Sequence, residues 1–146
     1  MAKGKYKLQS VLDLRERAKQ QAARLVAARR EQLAQAEEEL ARRLQMVADC
    51  QEQQTIARAK MIGQASAGVA ANLLVAHRTH LADLRHQEEE LMASVNEQRE
   101  EVARAEMEVE KAVAALIEAS KEVQVMEKHR QSWRDENSFR SAEVEV

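Results

Sequence analysis

A seven-residue hydrophobic repeat between Leu74 and Trp133 constrains the fold more than any other feature of the chain. Every seventh residue of one line is Leu74, Leu81, Glu88, Val95, Val102, Val109, Leu116 and Val123. The second line, three residues further on, is His77, Leu84, Leu91, Gln98, Ala105, Ala112, Ala119, Met126 and Trp133. Apolar side chains fill most of both lines, which predicts one long coiled-coil helix interrupted at Glu88 and Gln98. Because such a helix cannot cover its own apolar lines, it needs a second helix.

An earlier segment supplies this partner as the first helix of the chain, which we expect to run from about residue 8 to about residue 61. We assign its contact residues as Leu8, Val11, Leu12, Ala18, Ala22, Leu25, Leu33, Ala36, Leu40, Leu44 and Val47. The step of seven is broken by a step of eight between Leu25 and Leu33, which predicts a locally straighter helix. After Val47 the apolar line is expected to weaken, because glutamines follow at positions 51, 53 and 54.

The stretch from Gly63 to Gly68 is the best break in the chain, and it predicts a turn at about residues 62–69. A short connection makes successive helices antiparallel. The second helix is then expected at about residues 70–137, with a frayed tail at residues 138–146. The absence of proline favours uninterrupted helices, since one interior proline costs about 3 kcal/mol. The sequence therefore predicts an all-α fold in which residues 1–146 form a single antiparallel coiled-coil hairpin of two long helices.

Charge is distributed unevenly, although the net charge is only −2. Residues 1–30 contain nine Lys/Arg and two acidic residues, whereas residues 88–127 contain twelve Glu and four Lys/Arg. A hairpin folded near residue 66 brings the basic segment beside acidic residues, which selects the antiparallel orientation. Nucleic acid or an anionic membrane is the alternative partner for the basic segment. Internal neutralisation is favoured, because the interleaved aromatic residues of a single-strand binder are absent.

No residue pattern indicates catalysis or a cofactor, so we expect a protein that is not an enzyme. The four histidines (His77, His80, His86 and His129) lack the further ligands of a metal site, and solvated histidines are favoured. The single cysteine, Cys50, cannot form an internal disulfide, and the first residues show no apolar signal-peptide core. These features predict a protein of the cytosol.

The three aromatic residues, Tyr6, Trp133 and Phe139, fall at one end of the predicted hairpin. Together with His129 and its basic neighbours Arg130 and Arg134, they form an amphipathic tip. Trp and Arg are enriched where protein partners bind. The competing interpretation is that Tyr6 and Trp133 close the open end of the helix pair, and both remain open at this stage.

Several stretches carry a family resemblance. They are residues 6–16 (YKLQSVLDLRE), 22–25 (AARL), 35–38 (QAEE) with Leu40, 66–68 (SAG) with Asn72, and 127–134 (EKHRQSWR). With its length and two-helix layout, the chain resembles FliJ-type flagellar export proteins and their YscO-type counterparts in injectisomes, over nearly its whole length.

The resemblance implies a non-enzymatic central stalk and adaptor of a type III protein export apparatus, flagellar rather than injectisome. The end with both termini would dock in the hexameric export ATPase and promote its assembly and activity, through Tyr6, Leu8, Val11, Leu12, Arg130, Trp133 and Arg134. The chain would also contact the cytoplasmic domain of the export gate and the export chaperones. It would lie in the cytoplasm, peripheral to the inner membrane, and reach the membrane only through the gate.

The resemblance also implies a gate-binding face near the turn. Where the family has paired tyrosines on its first helix, this chain has Met46 and Cys50. Leu84 matches a leucine of the family on the second helix. The missing tyrosines put the detailed gate contacts in question, though not the architecture.

Two other functions fit the same residues. A generic coiled-coil scaffold or peripheral-stalk subunit would be a parallel pair of long helices from two chains. A cytosolic chaperone for exported proteins would hold unfolded chains against apolar residues and would need no ATPase.

Overall fold

Two long helices form an antiparallel hairpin in the computed structural model, which describes residues 6–145, with side chains for all of these except residues 141 and 143–145. Helix α1 spans Gln9–Ser66 and helix α2 spans Ala71–Glu145. The predicted all-α hairpin is confirmed. Part of the predicted basic segment (Lys3 and Lys5) and the last residue of the predicted tail (Val146) lie outside the described residues.

The helices are longer than the sequence suggested. Helix α1 continues past Met61 to Ser66 and includes Gly63, which has no positive φ. Helix α2 continues to Glu145, so residues 138–145 are helical rather than frayed. Good helix-forming residues (Arg, Ala and Glu) occupy half of this last segment, and it contains no proline or glycine, so the helix continues after the seven-residue repeat ends.

The turn depends on Gly68 alone among the glycines of the described chain. Gly68 has a φ of 76°, which side chains with a Cβ rarely adopt. Its N–H donates to the Ala65 carbonyl at 3.2 Å, and the Val69 N–H donates to the Gln64 carbonyl at 3.2 Å. This pair of bonds is the Schellman motif that ends a helix with a left-handed glycine. The connection between the helices is therefore short and well defined.

Helix α2 packs through the two lines of residues that the sequence predicted. Every position of both lines between Leu74 and Trp133 is buried or half-buried. Val95 is fully enclosed, and Gln98 is only 7% exposed because its amide donates to the Ala36 carbonyl at 3.0 Å. A polar residue can occupy the core of the pair when its donor is satisfied in this way.

Helix α1 packs through a set of residues that only partly matches the predicted one, since Leu8, Ala18, Leu25 and Leu44 are exposed and the other seven predicted residues are buried or half-buried. Val26 is buried, whereas its neighbour Leu25 is 44% exposed, and Ala18 is exposed. The observed line is Leu12, Lys19, Val26, Leu33, Leu40, Val47, Gln54 and Met61, which keeps one step of seven throughout. The predicted step of eight is therefore wrong. The apolar line does give way to glutamine after Val47, as expected, but Gln54 is buried and the packing of the two helices continues past it.

The chain divides into two compact units by its internal contacts. The turn unit comprises residues 33–105, and the terminal unit comprises residues 1–32 and 106–146. The turn unit is organised around Ala57, Leu81 and Leu84, with Met61 packed against them. The terminal unit buries Tyr6, Leu12, Val26, Ala112 and Val123.

Candidate partner-binding surfaces

Three aromatic rings meet at the tip of the terminal unit. The Tyr6 ring lies 5.4 Å from the Trp133 ring and 5.6 Å from the His129 ring, centroid to centroid, at tilted angles. The Tyr6 hydroxyl also hydrogen-bonds to Nδ1 of His129. Tyr6 is only 7% exposed in this arrangement. The geometry supports the interpretation in which Tyr6 and Trp133 close the end of the helix pair, while Phe139 is 66% exposed and lies outside this cluster.

The residues predicted to contact the ATPase ring are not all on the surface. Tyr6 and Leu12 are buried, and Val11, Arg130 and Trp133 are half-buried. Leu8 and Arg134 are exposed. Because the buried members hold the two helices together, the accessible part of this predicted surface is Leu8, Arg134 and the outer edges of the half-buried residues.

The residues predicted to contact the gate separate into one exposed residue and two buried ones. Cys50 and Leu84 lie together in the core of the turn unit, where the Cys50 thiol donates to the Leu84 carbonyl at 3.3 Å. Met46 is 48% exposed. Leu84 and Cys50 therefore pack the two helices together. Met46 is the member of the set that a partner can contact directly.

A polar layer interrupts the apolar core of the turn unit. The Gln54 and Gln51 amides of α1 both donate to the Glu88 carboxylate of α2, and the latter distance is 3.3 Å. These two hydrogen bonds hold the pKa of the Glu88 carboxyl below its usual range, and the bond from Gln54 has the larger effect. A further bond from Arg43 to the Ser94 carbonyl measures 2.9 Å. Directional contacts of this kind fix the register between two helices.

Two apolar grooves flank the helix pair close to the turn, and sequence reasoning missed them. One, of about 390 Å³, is lined by Gln53, Ile56, Ala57, Lys60, Ala76, His77 and His80. The other, of about 340 Å³, is lined by Met61, Ala65, Ala71, Leu74, Val75 and Arg78. Ile56 and Val75 are 60% and 59% exposed. The sequence did contain a sign of these grooves, because Ile56 and Val75 are large apolar residues that lie outside the lines packing the two helices together.

The histidines and the hydropathy of the helices give no further site. His77 hydrogen-bonds to the side chain of Gln64, and among the described residues no cluster of His, Cys, Asp and Glu is arranged to hold a metal ion. Over the same residues, neither helix contains a stretch that is long and apolar enough to span a bilayer.

Comparisons with known proteins match almost the whole chain. A family model described as YscO-like protein matches residues 3–145. The solved structure of CT670 from Chlamydia trachomatis, a proposed YscO homologue, superposes with a TM-score of 0.88 at 22% sequence identity. The match covers 98% of this chain and 88% of that one, and at this identity it establishes a common fold. No curated protein matched the chain.

Proposed function

The chain belongs to the YscO-like protein family, and we propose that it serves a type III protein export apparatus as a non-enzymatic central stalk and adaptor. The observation that carries the proposal is the family match over residues 3–145, together with a two-helix hairpin that accounts for residues 9–145. No catalytic arrangement is needed for such a role, since hydrolysis belongs to the ATPase. Both comparisons bear the YscO name, which favours an injectisome over the flagellar system expected from the sequence.

The proposed partners are the hexameric export ATPase, the cytoplasmic domain of the export gate and the export chaperones. A position in the cytoplasm beside the inner membrane follows from these partners. The alternative of a parallel scaffold rod is less consistent with the fold, because the two helices of one chain pair with each other through Gly68.

The terminal unit is the part that we propose to dock in the ATPase ring. The rings of Tyr6 and Trp133 pack against each other at its tip, and this contact holds the start of α1 against α2. We propose that Leu8, at 39% exposure, and the exposed Arg134 contact the ring subunits. Because the packed tip already orders the backbone that carries these side chains, less conformational entropy is lost on binding.

The turn unit is the part that we propose to meet the gate. Met46 would contact the gate directly, while Cys50 and Leu84 would act by keeping the helices in register beneath it. Substitutions of Met46 would then weaken gate binding with no loss of folding stability, whereas substitutions of Leu84 would change both.

The test is to add the purified chain to the export ATPase of its own apparatus and to measure hexamer formation and turnover. We expect both to rise, and we expect Leu8→Ala with Arg134→Ala to weaken the rise. Ile62→Ala is the matched control, because Ile62 is 63% exposed but lies in the turn unit. Turnover that stays unchanged at saturating protein would argue against the stalk role.

A chaperone function is the second candidate, favoured by the apolar side chains exposed near the turn. Ile56, Ile62, Leu73 and Val75 are between 43% and 63% exposed. Such residues could hold unfolded segments of exported proteins. This function predicts that the chain suppresses aggregation of an unfolded export substrate without the ATPase, and that Ile56→Ser with Val75→Ser removes the effect.

A further inference from the structure

The end of the hairpin at the turn is an uncharged cap. We define the cap as residues 61–77, which include the end of α1, the turn and the start of α2 and contain no Asp, Glu, Lys or Arg. Three large apolar side chains of the cap, Ile62, Leu73 and Val75, are exposed. Water around such side chains is unfavourable, so their concentration at one end of the molecule indicates a contact surface.

A basic band follows the cap on both helices. Its members are the exposed residues Arg58, Lys60 and Arg78. Lys60 and Arg78 lie about 9 and 10 Å along their helices from the ends at the turn. The first acidic residues, Glu52 and Asp83, lie about 21 and 18 Å from those ends. Along the helix axes, the surface therefore changes from apolar to cationic, and acidic residues appear only beyond the band.

This order is present on both flanks of the helix pair. The groove that contains Ile56 is bordered by Lys60, and the groove that contains Val75 is bordered by Arg78. Ile62 lines neither groove and is exposed as well. A protein segment that filled one groove would leave the other groove and Ile62 in water. A layer that received the whole end of the hairpin would cover all of these side chains.

We propose that the turn end binds the surface of an anionic membrane, with its helix axes steep to the bilayer. The cap then lies at the boundary between headgroups and acyl chains, and the basic band lies among the lipid phosphates. Helical segments that bind at this boundary enter it by about 5–10 Å, which matches the depth of the cap. Lys and Arg side chains reach phosphates while their methylene groups remain in apolar surroundings.

The backbone of the turn is suited to this environment. The N–H groups of residues 67–69 donate to the carbonyls of Gly63, Ala65 and Gln64 at the end of α1. Backbone groups that are already hydrogen-bonded cost less to transfer out of water. The cap can therefore enter the headgroup region without first exchanging these bonds for others.

Charge favours a membrane over an acidic protein segment as the occupant. An anionic bilayer presents acyl chains beneath a layer of phosphates, which is the order of apolar and cationic residues at the turn end. It also presents this order on every side of the hairpin at once. The contact is independent of the proposed stalk role, and it adds a direct membrane contact to the one expected through the export gate.

Flotation of the full chain with lipid vesicles tests the proposal. We expect binding to phosphatidylcholine vesicles that contain about 30% phosphatidylglycerol, half complete at a lipid concentration on the order of 0.1–1 mM, and little binding to pure phosphatidylcholine. Lys60→Ala with Arg78→Ala should weaken binding by at least about tenfold, since each cation near the surface contributes about fivefold. Arg17→Ala with Arg24→Ala is the matched control, because it removes two exposed cations from the basic segment of the terminal unit.

The apolar part of the contact has its own pair of variants. Leu73→Ser with Val75→Ser should weaken binding by at least about tenfold, because two side chains no longer enter the acyl boundary. Leu14→Ser with Met107→Ser removes exposed apolar side chains of the terminal unit and should leave binding unchanged. Circular dichroism should show equal helix content in both double variants.

Tryptophan fluorescence locates the contact on the molecule. Trp133 is the only tryptophan and belongs to the terminal unit, so anionic vesicles should leave its emission unchanged. Leu73→Trp combined with Trp133→Phe places the only tryptophan in the cap. Its emission should move to shorter wavelength on binding and should be quenched by brominated lipid.

Three results would overturn the proposal. A chain that floats with neither kind of vesicle would leave the turn end to a protein partner. Equal binding to both kinds would exclude the basic band. Binding that is lost in the control with both Arg17 and Arg24 replaced, but kept without Lys60 and Arg78, would assign the lipid to the basic segment instead. None of these results bears on the proposed stalk role, whose readout is ATPase turnover.

Discussion

The two units of the hairpin hold their helices together by different means. In the turn unit, several polar side chains reach across the pair, among them Arg43, Cys50, Gln54 and Gln98. In the terminal unit, the crossing contacts include the Arg15–Glu122 ion pair and the aromatic cluster around Tyr6. The first unit has a register fixed by directional bonds, and the second has an end that is closed by packing. The comparison teaches that one seven-residue repeat can be combined with two different kinds of contact between the helices.

The largest expected effect on stability comes from substitutions in the aliphatic core, where the two units should differ. Leu84→Ala should lower the free energy of unfolding by about 3 kcal/mol, because it leaves a cavity beside Ala57 and Leu81. Val123→Ala in the terminal unit removes less volume and should cost about 2 kcal/mol. Urea unfolding followed by circular dichroism measures both. The control Leu73→Ala, at a residue that is 43% exposed, should change stability by less than about 1 kcal/mol. Equal losses at positions 84 and 73 would refute the core described for the turn unit.

The next effect sharpens the comparison at the aromatic cluster. Tyr6→Ala removes the ring that covers Trp133, and it should destabilise the terminal unit by about 2 kcal/mol while the turn unit is unchanged. Trp133 is the only tryptophan, so its fluorescence reports on this unit alone, and its emission should move to longer wavelength.

Tyr6→Phe is the matched control for that experiment. It keeps the ring but loses the hydrogen bond to His129, which should cost about 1 kcal/mol and leave the emission close to that of the wild type. Amide hydrogen exchange should accelerate near Leu12 in Tyr6→Ala and stay slow near Leu84. Faster exchange at both places would mean that the units do not open separately.

A smaller effect should follow from removing the polar layer. Gln54→Leu with Glu88→Leu replaces a hydrogen-bonded pair by apolar side chains, which should leave stability unchanged or slightly raised, because no buried polar atom of the pair is left without a partner. The register should become less well defined, because the directional bonds are lost. Spin labels at the exposed positions 58 and 85 would show a broader distance distribution. A distribution as narrow as that of the wild type would mean that the apolar contacts alone set the register.

The smallest expected effect is a dependence of the turn unit on pH. The pKa of Glu88 in the folded chain is lowered by hydrogen bonds from Gln54 and Gln51. A lowered folded-state pKa stabilises the protein above the unfolded-state value of about 4.3, and this stabilisation is lost as the pH falls through the folded-state pKa. Glu88→Gln should therefore flatten the stability profile below about pH 5. Glu89→Gln, on the exposed side of the same helix, is the control. It should leave the pH dependence of stability as it is in the wild type, because Glu88 is unchanged.

The sequence was sufficient to predict the hairpin and the packing of α2, because the two lines of that helix are apolar almost throughout. For α1 it was insufficient. Leu25 and Val26 are adjacent apolar residues about 100° apart on the helix, and either could face the partner. Lys19, which is exposed, interrupts the line that joins Leu12 to Val26 and so concealed the step of seven.

The polar core residues and the candidate sites were harder to predict for another reason. Gln54 is buried because Glu88 of the other helix accepts its hydrogen bond, and Gln98 because the Ala36 carbonyl does so. Such partners depend on the register between the helices, which a single sequence does not specify. Tyr6 and Trp133 were correctly expected at one end, but the burial of Tyr6 depends on its contact with His129. Which surfaces bind partners stays a prediction.

The unbroken step of seven along α1 also limits how the length of this protein can change during evolution. Adding one residue to either helix turns everything beyond it by about 100° and would expose the core line. Seven residues restore the phase, but only when the opposite helix gains seven as well. The hairpin can therefore lengthen without disturbing its packing in matched increments of about fourteen residues, so that insertions and deletions in related sequences should come in pairs.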